Sequence, residues 1–216
     1  MGMWDTQKAD LRKQMRGRLK AVDAEEKAAW DQEVCRRVLS RPEIAGADRV
    51  LGYMALSWET GTRELLEALL KEGKRVALPR VALSRSGGVQ AMPRMDFFEI
   101  HSMEDLEEGA FHILEPGGRC PRADWRTAPV LVPGMAFTPD GMRLGKGGGY
   151  YDCFLEREPD HGTLALAYGF QMVETLPGEA HDRPVDTVIT PERIFECGRL
   201  REKERAAGKA RSERWI

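Results

Sequence analysis

Ten consecutive residues, RLGKGGGYYD from Arg143 to Asp152, combine residue types that could do chemistry together. The four glycines let the backbone turn its N–H groups towards a ligand, and Arg143 and Lys146 add two full positive charges. The loop follows the apolar run PVLVPGMAF (129–137), which is typical of a buried parallel strand, and a helix is expected to start at Tyr150. A strand, a glycine-rich loop and a helix N-terminus in this order predict a phosphate-binding site.

Neither of the two common nucleotide-binding motifs is present in this loop. A Walker A loop continues Gly-Lys with Ser or Thr, whereas Gly147 follows Lys146. A Rossmann fingerprint, G-x-G-x-x-G, follows the first strand, whereas here the loop comes late and its glycine spacing differs. The composition alone leaves open a glycine-rich loop that binds nothing, although two basic residues and an aspartate favour a ligand.

Asp152 at the end of the loop predicts a cation. A carboxylate beside a phosphate site repels the phosphate unless a cation lies between them, and Mg²⁺ is held in this way by one or two carboxylates together with phosphate oxygens. The segment HDRPVDTVIT (181–190) offers Asp182 or Asp186 as a second ligand. Asp186 opens a predicted strand and could face the same edge of the sheet. Asp152 is thus a candidate metal ligand with either Asp182 or Asp186 as the second, and a strand-entry or turn role is the alternative for Asp186.

The rest of the chain alternates between helical and extended patterns. We predict helices over 8–22, from Asp23 to Pro42, over 62–73 and from Tyr150, and strands over 49–55, 75–79, 129–137, 163–170 and 186–190. Strands that alternate with helices predict a three-layer α/β/α domain with a mostly parallel, mixed sheet. We place this single domain at residues 1–197 and a charged tail at 198–216.

The first predicted helix has two distinct faces. Its apolar stripe consists of Leu11, Met15, Leu19 and Val22. Its basic row consists of Lys8, Arg12, Arg16 and Lys20. The row is either a solvated face or part of an anion-binding site.

Charge and composition exclude several classes of protein. With 33 basic and 35 acidic residues, the net charge of −2 argues against a dedicated nucleic-acid binder. No apolar run reaches the roughly 18 residues of a membrane span, and the N-terminus lacks the apolar region of a signal peptide, so we expect a cytoplasmic protein. The four cysteines are far apart, which argues against a disulfide framework.

Several motifs together resemble the 5-formyltetrahydrofolate cyclo-ligase family. The segment VPGMAFTPDGMRLGKGGGYYDCFL resembles its signature, R-L-G-x-G-x-G-Y-Y-D after a Pro-Gly-x-x-Phe strand end. KADLR, YMALSWETGTRELLEALLKEGKRVALPRV, FHILEPGG and AYGFQMVETLPGEAHDRPVDTVIT resemble further elements of the family, and together they cover approximately residues 5–195. The resemblance implies a Rossmann-like architecture preceded by N-terminal helices.

The resemblance also implies an activity. Enzymes of this family use ATP and Mg²⁺ to convert 5-formyltetrahydrofolate into 5,10-methenyltetrahydrofolate. The formyl oxygen attacks the γ-phosphate of ATP, N10 attacks the activated carbon, and phosphate leaves as the ring closes. Such chemistry needs positioning and charge neutralisation rather than a protein nucleophile.

Site residues follow by motif position. ATP is expected to contact Lys8, Arg12, Arg143, Leu144, Gly145, Lys146, Gly147, Gly148, Gly149, Tyr150 and Tyr151. The folate is expected to contact Met54, Glu59, Lys146, Gly147, Gly148, Gly149 and Tyr150. Arg143, Lys146 and Tyr150 are the expected catalytic residues, and Asp152 and Asp186 the Mg²⁺ ligands.

We thus expect an enzyme that acts on 5-formyltetrahydrofolate, with or without a polyglutamate tail, as a monomer that binds neither nucleic acid nor membranes. Two other functions stay open at this point. The chain could bind a nucleotide or folate without catalysis, or it could be an α/β enzyme whose loop grips the single phosphate of a sugar phosphate.

Overall fold

The computed structural model describes residues 3–82, 93–109, 112–179 and 182–198 of the 216. The helices are α1 (Met3–Ala21), α2 (Ala24–Leu39), α3 (Pro42–Ala45), α4 (Arg63–Lys71) and α5 (Tyr150–Arg157). The strands are β1 (Arg49–Leu51), β2 (Arg75–Ala82), β3 (Arg94–Ile100), β4 (Leu106–Glu108), β5 (Leu114–Pro116), β6 (Val130–Val132), β7 (Ala136–Phe137), β8 (Arg143–Leu144), β9 (Thr163–Leu166), β10 (Thr187–Ile189) and β11 (Ile194–Glu196). Most of the tail predicted at 198–216 lies outside the described residues.

The two long N-terminal helices are confirmed, and local chemistry explains their boundary. Asp23 caps α2, because its carboxylate accepts hydrogen bonds from the backbone N–H groups of Glu25 and Glu26. Pro42 then stands at the start of α3, where its missing N–H costs nothing.

One seven-stranded sheet organises the molecule, with strand order β11-β10-β9-β6-β1-β2-β3. The central strands β10, β9, β6, β1 and β2 pair in parallel, and β11 and β3 add antiparallel edges. The predicted mostly parallel, mixed sheet is therefore confirmed. The long edge strand β3 and the short hairpins β4–β5 and β7–β8 were not predicted.

The sequence predicted one strand over the apolar run 129–137, but this prediction is wrong. The run divides into β6 and β7, and Pro133 and Gly134 lie between them. The ring of Phe137 occupies the place that a Cβ at Gly134 would need, so only glycine fits there. The chain bends at Met135, and β7 pairs with β8 instead of extending the main sheet.

Helices cover both faces of the sheet and give the predicted three layers. On one face, α2, α3 and α4 bury Val38, Ile44 and Leu66 against the sheet. On the other face, α5 buries Phe154 and Leu155.

Helix α1 lies at one end of the sheet rather than on a face. Its apolar stripe buries Met15 and Leu19 in a cluster with Met135, Leu144 and Tyr168, which follow the carboxyl ends of β6 and β9 or belong to β8. The basic row of α1 is thereby brought close to the glycine-rich loop. No helix in the described part of the chain is long and apolar enough to cross a membrane.

Replacing Leu66 by Ala should lower the free energy of unfolding by about 2–5 kcal/mol, because this side chain is 0% exposed and its removal leaves a cavity. Chemical denaturation measures this change. Glu67→Ala on the solvent side of the same helix is the control and should change stability by less than about 0.5 kcal/mol. Equal losses in the two variants would contradict the assigned core.

Candidate active site

A cavity of about 700 Å³ lies at the carboxyl edge of the parallel sheet. Open α/β sheets bind ligands at this edge. Its wall is formed by the loops that follow β1 and β6, the start of α1, the glycine-rich loop, strand β2 and strand β5. The predicted residues that line it are Lys8, Arg12, Met54, Arg143, Leu144, Gly145, Lys146, Gly147, Gly148, Gly149, Tyr150, Tyr151 and Asp152.

The glycine-rich loop connects β8 to α5. Pairing of Phe137 with Arg143 in the β7–β8 hairpin sets where the loop begins. Gly147 has φ +103° and Gly149, the N-cap of α5, has φ +67°. Only glycine adopts these left-handed conformations at little cost, so both positions explain why the sequence is rich in glycine here.

Arg143 is fixed between the sheet and α5. Its side chain is 3% exposed and its Nη2 donates to Asp152 Oδ1 at 2.7 Å. Nη1 donates to the backbone oxygen of Pro133 at 3.3 Å. Its Nε is buried and has no hydrogen-bond partner in the described structure. The guanidinium is therefore preorganised, with a donor left for a ligand oxygen or water.

The first two residues of the basic row reach the pocket. Lys8 is buried, and its Nζ lies 2.6 Å from Glu179 Oε2 and 2.8 Å from Asp182 Oδ2. Burial lowers the pKa of Lys8, but the bonds to Asp182 and Glu179 outweigh burial and the pKa is raised overall. Arg12 donates its Nε–H to the backbone oxygen of Gly145 at 2.8 Å.

The second half of the basic row has a different place. Arg16 lies over the ring of Trp58, with its Cζ 5.8 Å from the ring centroid, and Lys20 is exposed. The row is thus divided, since Lys8 and Arg12 face the pocket and the later members do not.

Glu59, predicted to contact the folate, is buried and is not among the residues that line the cavity, but it forms an ion pair with the lining residue Lys146. Lys146 Nζ lies 2.6 Å from Glu59 Oε1, and Oε2 of the same carboxylate accepts from the backbone N–H of Leu56 at 2.9 Å. The Glu59 side chain is 5% exposed, whereas that of Lys146 is 35% exposed. Trp58 stacks beside Lys146, whose Nζ is 5.5 Å from the ring centroid. This ion pair therefore links the loop that follows β1 to the glycine-rich loop.

The two tyrosines at the start of α5 differ. Tyr150 packs so closely under the loop that a Cβ at Gly148 would lie 2.8 Å from its ring. The hydroxyl of Tyr151 is buried without a hydrogen-bond partner in the described structure. Burial raises the pKa of Tyr151, so this hydroxyl stays protonated and can act as a donor.

The two predicted metal ligands do not come together. Asp186 precedes β10 beside Thr163, the first residue of β9, so it lies at the amino edge of the parallel strands. Its Oδ2 accepts from the N–H and the hydroxyl of Thr163 at 2.8 and 3.0 Å. Asp152 instead lines the pocket at the carboxyl edge. The expectation that Asp186 faces this edge is corrected, because a residue at the start of a parallel strand lies at the amino edge.

Asp182, the alternative in the same segment, does line the pocket. The backbone N–H of Arg183 donates to Asp152 Oδ1 at 3.1 Å, which holds this segment against α5. The sequence offered both aspartates, and only the three-dimensional position of β10 separates them.

Two further acidic residues of the pocket wall were not predicted. Glu179 shares Lys8 with Asp182. Glu115, in β5, is 7% exposed and lies 3.4 Å from the backbone N–H of Val81 through its Oε1. The signal for Glu115 was present in the Ile-x-Glu-Pro element, but nothing in the sequence related β5 to the pocket, because the short hairpin β4–β5 was not predicted.

Fold and pocket together define an α/β protein in which a basic helix and a glycine-rich loop face one ligand cavity at the carboxyl edge of the sheet. The profile of the 5-formyltetrahydrofolate cyclo-ligase family matches residues 5–191, and the chain belongs to this family.

Relatives and solved structures agree with this assignment. The chain is 30% identical to the 5-formyltetrahydrofolate cyclo-ligase of Escherichia coli (strain K12) over 191 residues, which are 84% of this chain and 99% of the relative. It is 31% identical to that of Saccharomyces cerevisiae over 196 residues, 83% and 92% of the two chains. The NMR structure of Aquifex aeolicus 5,10-methenyltetrahydrofolate synthetase superposes with a TM-score of 0.75 at 31% identity and covers 88% of this chain and 92% of its own.

Replacing Gly147 by Ala should lower the free energy of unfolding by about 1–2 kcal/mol, because an L residue is strained at its φ of +103°. Gly118→Ala is the matched control, since a Cβ there meets nothing within 4 Å and its φ is not in the left-handed region. Urea denaturation of both variants measures the difference. Equal stability of the two would show that the loop does not hold the conformation described.

Proposed function

We propose that this member of the 5-formyltetrahydrofolate cyclo-ligase family binds ATP and 5-formyltetrahydrofolate together in the cavity at the carboxyl edge and converts them into 5,10-methenyltetrahydrofolate, ADP and phosphate. The observation that carries the proposal is that two groups of residues adjoin at this cavity. Lys8, Arg12 and Arg143 line it and supply cations for phosphates. Glu59, which is buried and paired with the lining residue Lys146, supplies a carboxylate for a ligand that donates hydrogen bonds.

The phosphates of ATP fit the basic side of the pocket. Arg143 offers a fixed guanidinium, α5 offers its N-terminus, and the loop offers backbone N–H groups. Lys8 and Arg12 approach the same loop from α1. These groups neutralise the charge that develops as the γ-phosphate leaves ADP, which is the main task in phosphoryl transfer.

The reduced pterin fits the side formed by the loop after β1. Glu59 accepts N–H groups of the ring, and Met54 supplies apolar contact. Lys146 touches Glu59 and belongs to the phosphate loop, so it lies where the two ligands adjoin. We therefore assign Lys146, Arg143 and Tyr150 to the reacting groups, the formyl oxygen and the γ-phosphate.

The residues fit a Mg²⁺ ion that arrives with ATP. Mg²⁺ is commonly held by one or two carboxylates together with substrate phosphate oxygens and water, and the pocket wall carries the carboxylates of Asp152 and Asp182. Asp152 and Asp182, whose segments are hydrogen-bonded, are the proposed protein ligands. When bound, Mg²⁺ would lower the charge of the transferring phosphate.

We predict in addition that the protein is cytoplasmic, that it is a monomer and that it accepts folates with a polyglutamate tail. ATP as co-substrate is supported by family membership.

Protein mixed with Mg-ATP and 5-formyltetrahydrofolate should produce the near-ultraviolet absorbance of the methenyl product only when ATP is present. Arg143→Ala should reduce kcat/KM by about 100-fold or more, because a preorganised charge at the transferring group is lost. Binding of both ligands without turnover would instead favour a non-catalytic binding protein. Turnover of a sugar phosphate would favour an α/β enzyme whose loop grips a single phosphate.

Asp182→Asn should raise the Mg²⁺ concentration needed for half-maximal rate by about 10-fold or more. Mutation of a residue that only hydrogen-bonds to a metal ligand already lowers metal affinity by this much, and Asp182 is proposed as a ligand itself. Asp186→Asn is the matched control, with the same chemical change at the other edge of the sheet, and should leave this requirement unaltered. A larger effect of Asp186→Asn would favour Asp186 as the second Mg²⁺ ligand and contradict the proposal of Asp182.

A further inference from the structure

We propose that Asp31 in α2 is a positioning residue for Glu59. It lies outside the pocket wall and acts through the loop that carries Glu59, residues 52–62, called here the β1–α4 loop. This inference rests on the proposed function, in which Glu59 binds the folate. It adds a residue that neither the sequence motifs nor the pocket lining includes.

Asp31 anchors the β1–α4 loop by direct hydrogen bonds. Its Oδ1 accepts from the backbone N–H of Gly61 at 2.7 Å and from the hydroxyl of Tyr168 at 2.7 Å. Its Oδ2 pairs with Lys27 Nζ at 2.6 Å, one helical turn earlier in α2. The carboxylate therefore has a fixed orientation, and it holds the loop two residues after Glu59.

The close approach of Gly61 is an independent sign of this anchor. A Cβ at Gly61 would lie 2.6 Å from Asp31 Oδ2 and 2.9 Å from its Cγ. The loop backbone thus lies directly on the carboxylate, and a residue with a side chain could not take this position without moving either the loop or Asp31.

Tyr168 connects the anchor to the other side of the pocket. Its hydroxyl lies 3.4 Å from the backbone oxygen of Glu59, and its backbone N–H donates to Gln171 Oε1 at 2.8 Å. The Gln171 amide donates to the backbone oxygens of Gly134 and Met135 at 3.1 and 3.2 Å. These residues follow β6 and adjoin the hairpin that begins the glycine-rich loop. One buried network thereby fixes Glu59 relative to the phosphate loop.

Hydrogen bonds within the β1–α4 loop link its two ends, so a shift at Gly61 would also move Glu59. Thr62 Oγ1 donates to the backbone oxygen of Tyr53 at 2.7 Å and accepts from the N–H of Ala55 at 3.0 Å. Glu59 Oε2 is held by the N–H of Leu56 within the same loop. Release of the anchor at Gly61 would therefore shift the Glu59 carboxylate as part of the loop rather than leave it in place.

The effect should fall on the folate more than on the nucleotide. Lys8 and Arg12 belong to α1 and Arg143 to β8, so these three phosphate contacts do not depend on the β1–α4 loop. Lys146, which pairs with Glu59, is the one proposed phosphate contact that touches this loop, so we expect a smaller effect on ATP than on the folate. Loss of one positioning hydrogen bond should weaken 5-formyltetrahydrofolate binding by about 5-fold. Asp31→Ala removes both bonds of Oδ1 and should have the larger effect.

The experiment measures the Kd of 5-formyltetrahydrofolate and of ATP by titration calorimetry for the full chain, so that it does not depend on turnover. The variants are Asp31→Ala, Tyr168→Phe and each of them combined with Glu59→Gln. Glu33→Gln is the control, because Glu33 lies on α2 and pairs only with Arg36 and Arg37 among the described residues.

We expect Asp31→Ala and Tyr168→Phe to raise the folate Kd by about 5-fold or more while the ATP Kd and the control stay within about 2-fold of the starting protein. Once Glu59→Gln is present, the further change should disappear, because Asp31 acts through Glu59. If Asp31→Ala does not fold, Tyr168→Phe, which deletes one oxygen, tests the bond between Asp31 and Tyr168 while the bond to Gly61 stays in place.

Three results would overturn the inference: an unchanged folate Kd in both variants, an equal rise in the ATP Kd, or an undiminished effect in the Glu59→Gln background. A protein that shows the expected coupling in binding but no turnover would contradict the proposed reaction and leave Asp31 as a positioning residue. Absence of folate binding by the unaltered protein would overturn both proposals.

Discussion

The ion pair between the buried Arg143 and the half-buried Asp152 is the contact on which the site depends. It joins the last short strand before the glycine-rich loop to the first turn of α5, with 2.7 Å between Nη2 and Oδ1. Both ends of the loop are therefore fixed, and the glycines between them adopt conformations that other residues do not tolerate. A buried charge without its partner is strongly unfavourable, so loss of Asp152 would also disturb the position of Arg143.

Every cation that is proposed to meet a phosphate already has an acidic or backbone partner. Lys8 is held by Glu179 and Asp182, Arg143 by Asp152, and Lys146 by Glu59, while Arg12 donates to a backbone oxygen of the loop. ATP with Mg²⁺ brings charges of both signs, so phosphates can take over the basic groups while the ion takes over carboxylates. The pairs keep buried charges satisfied in the meantime and hold α1, the loop and the segment before β10 together.

The sequence predicted those parts of the protein that depend on local pattern. Periodicity and capping predicted α1, α2 and α4. The charged glycine-rich loop predicted a large part of the pocket wall, and the family resemblance added Lys8 and Arg12 to it. Asp186 shows the limit, because its distance from Asp152 depends on which edge of the sheet a strand begins at. Glu115 and the contact of Asp31 with Gly61 were equally out of reach, since each joins segments whose pairing no local signal encodes.

In the proposed reaction the formyl oxygen and the γ-phosphate react directly with each other in the cavity. Oxygen labelling tests this step: 5-formyltetrahydrofolate with ¹⁸O in the formyl group is converted with unlabelled Mg-ATP, and the inorganic phosphate is analysed by mass spectrometry or ³¹P NMR. Direct transfer should place one ¹⁸O atom in each phosphate released. Unlabelled phosphate, with the label lost to water, would rule out direct attack of the formyl oxygen on the γ-phosphate.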